Sequence, residues 1–194
     1  MAKVKEIYTQ IAAGRYKGKK LLLPSLSTTR STKSIVKESF FNSIQFEIDG
    51  SIFVEVFGGS GSMGLEALSR GAKEVYFIER DKKAYDVLCK NARSIDANHT
   101  HPLLGDSFEE YPKLVEKIKE KTFFYFDPPF DIRDGMEGIY ERVIELIKNT
   151  PKDIVIQIII EHATSLDMPE VIGNFKQRKF KKFGRSALSY YEVE

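Results

Sequence analysis

Residues 51–79 constrain the fold of this chain more than any other stretch. Residues 51–57 read as a buried strand, 58–61 as a tight turn, 62–70 as a helix closed by Gly71, and 73–79 as a second strand. A helical crossover is the connection that two parallel neighbours require. The alternation continues with a helix over 81–96 capped by Asp81, a strand at 101–104, a helix over 107–119 and a strand at 122–126. A helix over 134–148 and a continuous apolar strand at 153–160 follow. This rhythm predicts an α/β fold, a mostly parallel sheet covered by helices on both faces. Runs 175–183 and 187–193, separated by Gly184-Arg185-Ser186, predict a terminal antiparallel pair and bring the sheet to seven strands. Ahead of it, 5–12 and 19–23 flank two glycines and predict a small β-hairpin, joined through Pro24 and the Ser/Thr-rich 25–32 to a helix over 34–46. We expect a hairpin extension and linker at 1–32 and the main domain at 33–194, since 194 residues suit one core.

Two carboxylates bracket the first turn. Gly59-Ser60-Gly61-Ser62-Met63-Gly64 has the G-x-G-x-x-G spacing, and Glu79 ends the next strand. Glycines allow close approach to a ligand, and an acid in that position can hold ribose hydroxyls, so the pattern points to an adenosine cofactor. Glu55 at the end of the preceding strand would repel a diphosphate but suits a ligand bearing an ammonium group, as S-adenosylmethionine does. The apolar strand at 122–126 ends in Asp127-Pro128-Pro129-Phe130, at the sheet edge where open α/β folds bind ligands. A carboxylate and a proline-stiffened carbonyl offer acceptors for an exocyclic amine, and Phe130 offers a face for stacking a base.

Charge points to the partner. The net of +2 divides into +7 over residues 1–40, +6 over 176–185 and −11 over the remainder. Basic flanks of this kind suit a polyanion, although solvated basic faces would look the same. Apolar residues make up 42% of the chain, enough for a core, and no run is long enough to span a membrane. The start lacks a secretory signal, so a cytoplasmic protein is expected. Cys89 cannot form an internal disulfide, and the spacing of His99, His101 and His162 suggests no metal site.

Asp127–Phe130 and residues 57–71 together resemble the RsmD-type methyltransferases, which modify the 2-amino group of a guanine in bacterial 16S rRNA. The likeness runs nearly the whole chain. Residues 14–21 match the family's hairpin, and Arg30-Ser31-Thr32 with 36–42 match its next block. Departures are Glu55 where Asp is usual, Gly58 for Ala, Ser31 for Pro, Lys33 for Asp, and Ile35 and Lys37 for Arg.

The resemblance implies a Rossmann-like class I fold using S-adenosylmethionine, with Glu55, Phe57, Gly59 and Gly61 about the methionine part. It also implies Glu79 and Arg80 near the ribose, and Asp106, Ser107 and Phe108 about the adenine, Asp106 also reading as a helix cap. Asp127, Pro128, Pro129 and Phe130 become the catalytic set, Asp127 also bordering the cofactor, while Thr32 and Glu38 edge the site. Arg15, Lys17, Lys19, Lys20, Arg30, Lys37, Lys179, Lys181, Lys182 and Arg185 become candidate RNA contacts, and a monomer acting on 16S rRNA or an assembly intermediate is expected. An adenine or cytosine amino-methyltransferase, an NAD-dependent oxidoreductase and a non-catalytic RNA-binding factor remain alternatives.

Overall fold

The computed structural model describes residues 6–24, 30–129 and 138–194. In chain order the elements are β1 (Ile7–Gln10), β2 (Lys20–Leu23), α1 (Arg30–Ser43), β3 (Ile52–Glu55), α2 (Ser62–Ser69), β4 (Glu74–Glu79), α3 (Lys82–Ile95) and β5 (Thr100–Leu104). They continue with α4 (Ser107–Val115), β6 (Thr122–Phe126), α5 (Ile139–Lys148), β7 (Val155–Ala163), β8 (Val171–Ile172), β9 (Phe175–Phe183) and β10 (Ser186–Val193). Strands β1 and β2 form the hairpin, and the rest form one sheet in the order β5-β4-β3-β6-β7-β10-β9-β8. The first five run parallel, and β10, β9 and β8 are each antiparallel to the preceding neighbour.

The eighth strand is absent from the expectation of seven. It is a two-residue edge piece pairing Val171 with Lys176 and Ile172 with Phe175, too short to show a period of two in sequence. Three helix ends also differ: α1 begins at Arg30 and stops at Ser43, and α4 ends at Val115. Beyond α4 the chain closes a turn, with Lys117 and Ile118 N–H donating to the Leu114 carbonyl.

Alternating side chains divide the core. Phe53, Phe77, Phe123, Tyr125, Ile159 and Tyr190 face α1, α2 and α3, whereas Val54, Ile78, Phe124, Phe126, Ile160 and Tyr191 face α4 and α5. The order of strands reverses at β3 and β6, so the carboxyl ends of β4, β3 and β6 open onto the crevice where such sheets bind ligands. Among the described residues no helix is long and apolar enough to cross a membrane.

The hairpin is fastened to this core by a buried carboxylate. Glu66 on α2 is fully buried and accepts from the Ala12 and Ala13 N–H groups at 2.8 and 3.1 Å. It also pairs with Lys37 at 3.1 Å and Arg70 at 2.8 Å. Lys37 is itself buried and donates to the Gln10 carbonyl at 2.9 Å. The expectation that Lys37 contacts RNA is therefore corrected: its ammonium joins α1 to the hairpin and α2. Gly14, at φ +83°, lies so close to α2 that a Cβ there would be 1.8 Å from the Ser69 carbonyl oxygen. Asn91 on α3 completes the attachment, bonding both the N–H and the carbonyl of Leu22.

Burial opposes the charge of Glu66, but the Lys37 ammonium, the Ala12 N–H and the Arg70 guanidinium outweigh it and hold the carboxyl below its usual range. A lowered folded pKa stabilises the protein above the unfolded pKa, and that contribution is lost as pH falls through the lowered value. Glu66→Ala, which strands a buried cation, should cost about 3–5 kcal/mol in urea denaturation at neutral pH. The deficit relative to wild type should shrink as the pH falls below the carboxylate range.

Candidate active site

Four of the expected carboxylates stand on the carboxyl ends of four strands or in the turns that follow. Glu55 ends β3 and is 5% exposed, and its Oε2 accepts the Gly64 N–H at 2.8 Å in the first turn of α2. Glu79 ends β4, with Oε2 accepting from the Gly59 N–H at 2.8 Å and Oε1 from the Asp81 N–H at 2.7 Å. Asp106, after β5, caps α4 by accepting from the Phe108 N–H at 2.8 Å and lies 3.8 Å from the Arg80 guanidinium. Asp127 follows β6, with Pro128 buried and Pro129 half-buried after it. Phe130 lies outside the described residues.

The turn between these acids leaves open space beside its backbone. Gly59 adopts φ +53° with open space where a Cβ would project, and Gly61 closes the turn by donating to the Gly58 carbonyl at 2.7 Å. Phe57 and Phe108 meet edge to face with ring centres 5.9 Å apart, and the buried Ser107 hydroxyl donates to the Val56 carbonyl. The glycine turn, the Phe57–Phe108 wall and Asp106 thus border one crevice.

Three residues that carried no motif complete the site. Arg142 on α5 places its guanidinium 3.7 Å from the Phe108 ring centre, covering that wall from the neighbouring helix on the same face of the sheet. Tyr125 on β6 is buried, and its hydroxyl donates to Glu161 on β7 at 2.6 Å. Burial, then the charges of Glu161, Asp127 and Glu55, push the Tyr125 phenol well above its usual range, so it stays protonated and serves as a donor. Pairing of Phe126 with Ile160 sets Asp127 and Glu161 level on neighbouring strands. Sequence offered only one sign of this, an acid following an uninterrupted apolar strand.

The basic candidates separate by location. Arg15, Lys17, Lys19 and Lys20 are exposed on the hairpin, and Lys179, Lys182 and Arg185 are exposed on or beside β9, with Lys181 half-buried. The side chains of Arg30 and Thr32 lie outside the described residues. Glu38 lines an open groove between α1 and β9. Among the described residues no cluster of His, Cys, Asp and Glu is arranged to hold a metal.

A family model described as "Conserved hypothetical protein 95" matches residues 9–192. The chain belongs to this family, that of the RsmD-type methyltransferases. Across 187 residues it is 28% identical to the ribosomal RNA small subunit methyltransferase D of Escherichia coli K12, covering 95% of this chain and 90% of that protein. The Haemophilus influenzae protein of the same name is 34% identical over 131 residues, covering 67% and 68%. A solved methyltransferase from Escherichia coli superposes with a TM-score of 0.76 at 27% identity, over 96% of this chain and 98% of that one. The architecture is accordingly the class I methyltransferase fold, with the RsmD-type hairpin packed against it.

Tyr125→Phe should destabilise the protein by about 1–3 kcal/mol in chemical denaturation, because buried Glu161 loses a donor. A change under a few tenths of a kcal/mol would show that the Tyr125–Glu161 bond contributes nothing net.

Proposed function

We propose that this protein transfers the methyl group of S-adenosylmethionine to the N2 amine of a guanine in small-subunit rRNA. The observation that carries the reading is the convergence of Asp127-Pro128-Pro129 with buried Glu55 and the Gly59–Gly61 turn on one sheet edge. The relatives named above act on small-subunit rRNA by their names, which supports the choice of substrate.

The residues fit the cofactor. Glu55 is a buried acid that accepts the Gly64 N–H, and a carboxylate accepts several hydrogen bonds, so it suits the ammonium of the methionine part. Glu79 already holds the turn by two backbone bonds and has lone pairs left for ribose hydroxyls. Asp106 would accept from the adenine amine while keeping its cap, with Phe57 and Phe108 flanking the ring. A dinucleotide fits poorly, because its diphosphate would meet the Glu55 charge.

When bound, the sulfonium supplies an activated methyl, so the chain mainly has to align the acceptor nitrogen and exclude water. Asp127 and the Pro128 carbonyl accept from the two amine hydrogens. Both acceptors favour the positive charge that grows on nitrogen during transfer. Asp127 also helps to receive the proton that nitrogen loses. The exposed cations of the hairpin and of β9 hold rRNA phosphates on either side, and the substrate, rRNA or an assembly intermediate, is met in the cytoplasm.

Incubation with radiolabelled cofactor and unmodified small-subunit rRNA, free and assembled, should yield N2-methylguanosine on nucleoside analysis. N6-methyladenosine as the product would overturn the base assignment. Asp127→Ala should lower turnover by about two orders of magnitude or more while RNA binding persists. Gly59→Ala places a methyl in the open space of the turn, so calorimetric titration should show S-adenosylhomocysteine binding at least tenfold weaker. Its backbone strain should cost only about 1–2 kcal/mol of stability.

A further inference from the structure

The six cations of residues 176–185 do not form a single basic face. Strand alternation sends Lys179 and Lys181 toward α1, beside Tyr190 and Leu188, and Lys182 to the opposite face over the Phe180 ring. Lys176 lies 4.0 Å from the Glu194 carboxylate. Only Lys179 and Lys181 line the groove of about 450 Å³ between α1 and β9, together with Ile35, Glu38, Ser39, Asn42 and Ser43.

This groove sets two ammonium groups against one carboxylate, Glu38, and so keeps a net positive charge. Lys181 donates to Ser39 Oγ at 3.0 Å, and burial together with the adjacent Lys179 charge lowers its pKa. Among the described residues no carboxylate lies within ion-pair reach of either ammonium, Glu38 included. Two neighbouring cations held this way call for an anion. The groove also lies in line with the catalytic edge: Lys181 pairs with Leu188, Leu188 with Glu161, and Glu161 is level with Asp127. The backbone of Lys181 is thus three strand spacings, roughly 14 Å, from that of Asp127, and strand alternation turns both residues to the face that carries α1.

We propose that the groove binds the phosphodiester next to the nucleotide whose base enters the Asp127 site, gripped by Lys179 and Lys181. The identity of that base rests on the function proposed above; the anion site does not. Asn42 and Ser43 supply further polar contacts, and exposed Ile35 gives an apolar lip on which a neighbouring base can lie.

The test compares K179A/K181A with K182A and wild type, measuring methyl transfer to unmodified small-subunit rRNA and, separately, binding of a single-stranded oligoribonucleotide across a salt series. In the double variant KM for rRNA should rise about tenfold or more, and S-adenosylhomocysteine affinity should stay within twofold. The slope of log affinity against log salt should weaken by roughly 1.4 for two lost phosphate contacts. K179R/K181R should restore most of the binding, and K182A should change the slope by half as much or less. Wild-type affinity and slope in K179A/K181A would overturn the proposal even with methyl transfer intact. Loss of the slope in an enzyme whose wild type methylates no rRNA would uphold the groove and refute the assigned reaction.

Discussion

Five parallel strands place their carboxyl ends on one edge, and everything at the site follows from that constraint. Neighbouring strands lie about 4.8 Å apart, so acids at successive strand ends are forced into mutual reach. Such a row of charge is tolerable only with donors supplied to it. Glu55, Glu79 and Asp106 each take one or two backbone N–H groups from the turn or helix that follows a strand, and Glu161 takes the Tyr125 hydroxyl. The turns are therefore shaped by the acids as much as the acids are positioned by the turns. The result is an anionic crevice suited to a cationic cofactor and a donor-rich amine.

The second organising charge works in the opposite sense. Glu66 is not at the site; it gathers Lys37, Arg70 and two hairpin N–H groups beneath α2. It thereby fixes a basic hairpin relative to the helix that follows the glycine turn. In the proposed reaction this matters mechanically, since phosphates held by Arg15, Lys17, Lys19 and Lys20 must stay in register with a base at Asp127. Hydrogen bonds from α3 through Asn91 to both Leu22 and the Ser60 carbonyl link the same hairpin to the glycine turn itself.

Local pattern made much of this legible. The apolar run 153–160, the Asp81 cap and the glycine turn are signals carried by adjacent residues; the cap and turn stand where expected, with Asp81 accepting from Ala84 N–H at 2.8 Å, and the strand is shifted to Val155–Ala163. The row of acids was visible because each ends, or closely follows, its own strand. Arg142, Tyr125 and Glu161 were not, because each acts on a residue at least 34 positions away. Strand β8 was hidden for another reason, having only two residues in which to show a period.

The sequence by itself determined the alternation of strands and helices, the glycine turn, the acids at or just beyond strand ends and the presence of two basic flanks. Only the tertiary structure decided what each cation does. Lys37 looks like its neighbours in a basic segment, yet it is buried against Glu66. Lys179, Lys181 and Lys182 stand close together in the chain, yet strand alternation and the packing of α1 divide them between a groove and the opposite face. Charge is written residue by residue, but its work depends on which opposite charge or solvent it meets, and that is set by contacts between segments far apart in the chain.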